Sequence, residues 1–247
     1  MRAWTAFRST FARRSRGAER GAEAAEIEKF HTKLLQRRVA SIAIASPGWP
    51  HYLPDLANAI LLQQVLVRRA ERLTVSCGTV LADQNDYGVA LLVRGLLETA
   101  AVLGYACSRA AGLTGDFNEV AAYGEIVKSL LFGSRDEADR DVFPRAVNIM
   151  TCIDKTDAYM ATGPRYGGRK CMREMYDLLS EYAHPNMPSH SMGMDYRNGT
   201  ALLLDRAMDP DFCRLALGGV KLCLMLVNDL CDDLTDHLDR INCAASA

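Results

Sequence analysis

The sequence predicts an all-α fold, a helical bundle of six to seven helices with one small β-hairpin near residues 190–206. Three observations carry this reading. Apolar residues recur at three- and four-residue spacing through most of the chain, the period of an amphipathic helix. Clusters of Pro, Gly, Asp and Asn interrupt those stretches. Only between His190 and Arg206 does the period change toward that of strands.

The elements follow in order. From Ala22 to about Ala45, Ile27, Phe30, Leu34, Leu35, Val39 and Ile42 form an apolar stripe among charges, so a first helix is expected. SPGWPHYLP (46–54) holds three prolines and a glycine and must be a loop. Asp55 then starts a second helix running to about Ala82. Asp83-Gln84-Asn85-Asp86 breaks it and caps a third, Tyr87 to about Ala111, which is apolar nearly all round and belongs in a bundle's centre. Gly112 and Gly115 end that helix, and Asp116 opens a fourth, closed by Gly133. Residues 134–141 form a charged connection ahead of a fifth helix at 142–160. The loop 161–168 leads to a sixth helix at 169–184, stopped by Pro185. Asn198-Gly199 is the favoured type I′ turn and centres the hairpin. Asp209-Pro210 starts the final helix, 211–240, in which Gly218-Gly219 suits a close helix contact.

Bulk properties bound the function. At 247 residues the chain is long enough for one large domain or two small ones. We expect a basic arm over 1–20 and a single helical domain over 21–242. Hydrophobic residues at 49% and charged residues at 24% are ordinary globular composition. A net charge of −1 gives no global attraction for nucleic acid or membrane, so any basic surface must be local. The eight cysteines form no C-x-x-C pair and sit mostly among Leu, Val and Ala, which argues for buried free thiols rather than a zinc ribbon or a disulfide framework. The apolar stretches 89–107 and 215–227 are interrupted by Arg94, Glu98 and Lys221, short of the ~20 residues that a membrane span needs. Together with an N-terminus that lacks an apolar core, this predicts a cytoplasmic protein without a membrane segment. Residues 1–20 carry six arginines and no acid before Glu19, a composition shared by disordered arms, nucleic-acid-binding tails and transit peptides.

Two elements could carry chemistry. Arg94 and Glu98 are i, i+4 neighbours on a helix that otherwise wants burial, and a buried charge is costly unless paired. They form either a structural ion pair or a polar site whose guanidinium binds an anion such as phosphate. In YDLLSEYAHPN (176–186), Tyr176, Ser180 and His184 fall at i, i+4 and i+8 and share one helical face. His184 is then either a general acid/base beside two hydroxyls or a capping histidine.

Arg-x-x-x-Glu on a central apolar helix, followed far downstream by Tyr-x-x-Leu-Ser-x-x-x-His-Pro, resembles a group of bacterial helical domains related to the HEPN-like bundles. Arg94, Glu98, Tyr176, Leu179, Ser180, His184 and Pro185 carry the resemblance, which extends in layout over roughly residues 55–240. It implies an RNA or nucleotide ligand, since HEPN proteins include metal-independent RNases as well as non-catalytic members. Their signature places an arginine and a histidine on one helix with four to six residues between them. None of the five histidines here follows an arginine at that spacing, so Arg94 and His184 would have to meet between helices.

Other signals weigh less. Glu28-x-x-His31 and Glu181-x-x-His184 have the spacing of di-iron bundles, but the bridging glutamates are out of order, so neither metal nor cofactor is expected. Met172, Met175, Met187, Met192 and Met194 suit adaptable packing. Asp229, Asp232, Asp233 and Asp236 read as a solvated face. No phosphate-binding loop, dinucleotide fingerprint or nucleophile elbow is present.

Two functions remain open. In one, Arg94, Glu98, Ser180 and His184 bind and cleave RNA or a nucleotide phosphate, with His184 as acid/base, Arg94 neutralising the phosphate and Tyr176 joining it in binding. In the other, the same residues fix helix register in a non-catalytic module that works by homo-oligomerisation or partner binding.

Overall fold

Apolar periodicity becomes helix wherever a capping side chain can start it and a tertiary partner can bury its stripe. The computed structural model describes residues 18–42, 54–163, 166, 170–192, 194–197, 200–203 and 209–245. Among these residues there are eight α-helices: α1 (Ala18–Gln36), α2 (Pro54–Ala82), α3 (Asp86–Ala110), α4 (Phe117–Phe132), α5 (Ile149–Thr162), α6 (Cys171–Ala183), α7 (Met187–Ser191) and α8 (Pro210–Ala245). A single 3-10 turn spans Glu137–Asp139. Strands β1 (Met194–Arg197) and β2 (Thr200–Leu203) pair antiparallel, with Met194 opposite Leu203 and Arg197 opposite Thr200. The body of the arm over 1–17, the segment 43–53 and the turn residues Asn198 and Gly199 lie outside the described residues.

Several helix ends fall where their caps place them. Asn85 accepts from the Gly88 N–H at 2.9 Å and opens α3, after Gln84 turns the chain at φ 58°. Asp116 accepts from Asn118 and Glu119 N–H and opens α4. Two expected boundaries are corrected. Helix α1 stops at Gln36 rather than near Ala45. There the Gln64 amide brackets the departing chain, donating to the Arg37 carbonyl (2.9 Å) and accepting from the Val39 N–H (3.0 Å). These bonds occupy backbone groups that a continued helix would need. Helix α5 begins at Ile149 instead of 142. Ahead of it Ser134 bridges Arg145 in a short parallel pairing, and Asn148 caps the helix by accepting from Met150 N–H. The eighth helix, α7, was not anticipated. At five residues it is too short to show a period, and its signal is a capping box between Asn186 and Ser189 with Pro188 in its first turn.

The sequence reading treats 21–242 as one domain; the chain forms two compact units, each drawn from separated stretches. Among the described residues, unit 1 draws on 18–35, 70–97 and 173–225, and unit 2 on 36–69, 98–172 and 226–245. No composition break marks the division, because α2, α3 and α8 each contribute to both.

In unit 1, α1 buries Ile27, His31 and Leu34, which share one face at i, i+4 and i+7. The core continues through Val89, Val93, Leu96, Leu179, Leu217 and Leu224. Tyr182 and Phe212 meet at 5.1 Å between ring centroids, and Lys221 pairs with Glu26. In unit 2, Leu62, Leu103, Cys107, Ile153, Leu230 and Leu234 are buried. Thr156 lies against Gly104, where an added Cβ would collide with it, and its hydroxyl donates to the Ala101 carbonyl at 2.8 Å. Gln63 donates to the Cys231 carbonyl, and Arg37 holds both Asn228 and Asp232. Arg240 donates to the carbonyls of Ala110, Ala111 and Leu113, which supplies the charge and the donors that the end of α3 requires. Helix α3 is long and apolar enough to cross a membrane by length and composition, and 61% of its most apolar window is buried within the protein.

All eight cysteines are free thiols, and Cys77, Cys107, Cys152, Cys223 and Cys231 are buried. Burial pushes the Cys77 thiol up to about 12 and Cys152 up to about 11, so neither supplies a thiolate nucleophile at neutral pH.

The Gly218-Gly219 pair divides in role. A Cβ on Gly219 would sit 2.8 Å from Val93 Cγ1, whereas one on Gly218 meets nothing within 4 Å. Val93 is buried and β-branched on a helix, so it has little freedom to move aside. Gly219→Ala is therefore expected to destabilise by about 1–3 kcal/mol. Gly218→Ala should stabilise by up to about 1 kcal/mol through helix propensity. Denaturant unfolding of the two variants, with opposite signs expected, checks this.

Candidate functional site

Unit 1 brings together three of the residues singled out from the sequence. Arg94 projects from the largely buried helix α3 and is itself half-buried. Its guanidinium Cζ lies 4.6 Å from the centroid of the Tyr176 ring, and Nη2 donates to the Tyr176 hydroxyl at 2.5 Å. Nη1 stands 3.4 Å from His184 Nε2, in an exposed contact. An arginine N–H can only donate, so this approach requires Nε2 to accept, with the ring proton on Nδ1. Tyr176 is 8% exposed and offers Arg94 both a π-face and an oxygen.

Local structure explains how His184 arrives there. Tyr176 and His184 are eight residues apart, so they share the α6 face that meets α3. The His184 N–H still bonds the Ser180 carbonyl at 3.0 Å, but Pro185 cannot continue the helix. Asn186 then donates its N–H to the His184 carbonyl (2.8 Å) and its side-chain amide to Glu181 (2.8 Å). It also opens α7, whose Ser189 carbonyl accepts from Tyr87 on α3 at 2.8 Å. The corner carrying the imidazole is thus tied on both sides.

Ser180 and Glu98 stand differently. The Ser180 hydroxyl donates to the Tyr176 carbonyl at 2.7 Å, back-bonding within its own helix. Glu98 is half-buried on α3 and belongs to unit 2. The arrangement that unit 1 does assemble is a guanidinium beside an imidazole at an exposed contact, with a tyrosine fixing the guanidinium plane. Such a pair can neutralise an anion and move a proton next to it.

A second polar cluster, in unit 2, was not legible in the sequence. Asp233, expected on a solvated face, accepts at Oδ2 from the Tyr159 hydroxyl (3.1 Å) and the Tyr166 hydroxyl (2.9 Å). The Tyr159 oxygen is also 3.0 Å from His237 Nε2, with the two rings edge-on at 6.1 Å. One phenol carries one hydrogen, so Tyr159 donates to Asp233 and accepts from His237 Nε2–H. Burial, then the Asp233 carboxylate, pushes the Tyr166 phenol well up. Burial, then Arg240, holds His237 below its ordinary value, with Asp233 and Asp236 opposing. The one sequence signal was Asp233 and His237 at i, i+4 on α8; both tyrosines come from elsewhere in the chain.

His31, expected on a charged helix, is 3% exposed. Burial lowers its pKa from the usual value, while Glu71 and Glu28 oppose the shift. Among the described residues no three His, Cys, Asp or Glu side chains converge as a metal-ligand group.

The two lowered histidines make stability pH-dependent. A group whose folded pKa is depressed takes up its proton more readily in the unfolded chain, so stability rises with pH through that interval. Stability should therefore be full above about 6.5 and fall as pH drops through the lower folded values. Denaturant melts between about pH 7.5 and 5 should show this slope, reduced by His31→Gln and reduced further by adding His237→Gln. An unchanged slope in the double variant would refute the assignment.

No family model, curated protein or solved structure matches this chain.

Proposed function

We propose that unit 1 binds an RNA or nucleotide phosphate at Arg94 and His184, with cleavage of RNA as the associated activity. The observation that carries the reading is the 3.4 Å approach of Arg94 Nη1 to His184 Nε2 at an exposed contact. A phosphate oxygen against the guanidinium would be neutralised by it and would sit within reach of the imidazole. In cleavage, the phosphate takes over the Arg94 Nη1–H, which leaves His184 Nε2 to take the proton of the RNA 2′-hydroxyl, and O2′ attacks the adjacent phosphorus. The P–O5′ bond breaks, leaving a 2′,3′-cyclic phosphate, and the departing O5′ takes a proton from water. Arg94 offsets the charge that gathers on the phosphoryl oxygens. Tyr176 acts as a positioning residue, since it holds the guanidinium by ring and hydroxyl.

The non-catalytic reading is favoured by a different observation. Tyr176 is 8% exposed and takes both the face and a donor of Arg94, as a packing device between α3 and α6 would. The two readings part on substitution. On ours, Arg94→Ala weakens binding of a short single-stranded RNA roughly 10- to 100-fold. His184→Ala leaves binding largely intact and slows cleavage by about 10²–10⁴. His184→Ala, which removes only an exposed contact, keeps a melting temperature close to the parent, while Arg94→Ala also loses its contact with Tyr176 and melts lower. RNA binding and cleavage that survive both substitutions, together with a lowered Tm, would mean that the residues only set helix register.

A further inference from the structure

Unit 2 contains a cleft of about 460 Å³ that residues 134–148 line. Its volume falls within the ~300–1,000 Å³ usual for small-molecule sites. The backbone around it is held by short, specific bonds. The Ser134 N–H donates to the Pro144 carbonyl and the Ala146 N–H to the Ser134 carbonyl, both at 3.0 Å. Gly133 permits this approach, since a Cβ there would press on the Ala146 backbone.

Charge in the cleft is divided unevenly. Three of the four acidic side chains of the loop, Asp136, Glu137 and Asp139, are engaged within it. Asp139 accepts from the Ser134 hydroxyl at 2.7 Å, Asp136 caps the 3-10 turn by accepting from Ala138 N–H, and Glu137 pairs with Arg140. Arg135 and Arg145 line the same cleft, are exposed, and have no side-chain partner among the described residues. Phe143 shares the lining and is 43% exposed, so part of its ring is open to the cleft and solvent. Two unpaired planar guanidiniums beside an open ring match a ligand with a phosphate at one end and a flat base at the other.

We propose that this cleft is a nucleotide-binding site, in which Arg135 and Arg145 hold the phosphates and Phe143 stacks on the base. The inference does not rest on the reading of Arg94 and His184. ADP, inorganic pyrophosphate and adenosine are titrated calorimetrically into the full chain at low salt. ADP should bind more tightly than either fragment, with an affinity that falls as salt is added. Arg135→Ala and Arg145→Ala should each weaken ADP roughly tenfold or more, and Phe143→Ala should reduce ADP to the level of pyrophosphate. Because Arg135 and Arg145 have no side-chain partner among the described residues, their alanine variants should keep the parent Tm, which verifies folding. Arg94→Ala separates the two sites: ADP binding unchanged by it supports the cleft. ADP binding that Arg94→Ala abolishes and Arg145→Ala spares overturns the proposal, as does absence of ADP binding. Equal affinity for ADP and pyrophosphate overturns the role of Phe143 and with it the nucleotide assignment.

Discussion

An arginine in the middle of an apolar helix must find a partner or stay costly. In α3, Val89, Val93, Leu96 and Leu97 demand burial, and Arg94 sits among them. Tyr176 answers with a ring 4.6 Å from the guanidinium carbon and an oxygen for Nη2. Much of unit 1 follows from that contact. It sets the rotation of α6, which brings His184 to the same guanidinium, and Pro185 forces the chain to turn there. Asn186 then opens α7, and α7 returns to α3 through the bond between Ser189 and Tyr87. At Gly219, α8 comes close to Val93 on α3 and Met175 on α6.

Unit 2 meets a related constraint with neutral groups. Its helices approach closely at Gly104, where Thr156 gives its hydroxyl to a helix carbonyl rather than leaving it unsatisfied. Gln63, Gln64 and Arg240 likewise direct side-chain donors at main-chain carbonyls, two of them where a helix has ended. Asp233 accepts from two phenols, and Tyr159, having given its one proton to Asp233, accepts in turn from His237. Local charge is handled in the same way between residues 134 and 148. Asp136, Glu137 and Asp139 there are engaged by a cap, an arginine and a hydroxyl, while Arg135 and Arg145 are exposed.

Legibility in the sequence tracked the range of the interaction. Asp116 and Asn85 act within their own turns, so the starts of α3 and α4 could be read directly. Arg94, Tyr176 and His184 were recognisable because each violates or punctuates a helical pattern. Their meeting across 90 residues of sequence was only a possibility of the pattern. The end of α1 was misjudged because a side chain on α2 decides it. Asp233 was misjudged for the same reason: nothing in an aspartate-rich run on α8 announces two tyrosines from other segments.

By itself, then, the sequence determined the all-α class, the order of the long helices, the need of α3 for burial and the position of the charge it carries at Arg94. These depend on periodicity and on caps that act within a few residues. Only the tertiary structure decided that Arg94 faces His184 while Ser180 turns back on its own helix. It also decided that two compact units share the long helices, that Asp233 is engaged, and that Arg135 and Arg145 are left open. The physical reason is common to all of these. Hydrogen bonds and ion pairs between distant segments are set by three-dimensional distance, which the local pattern of residues does not encode.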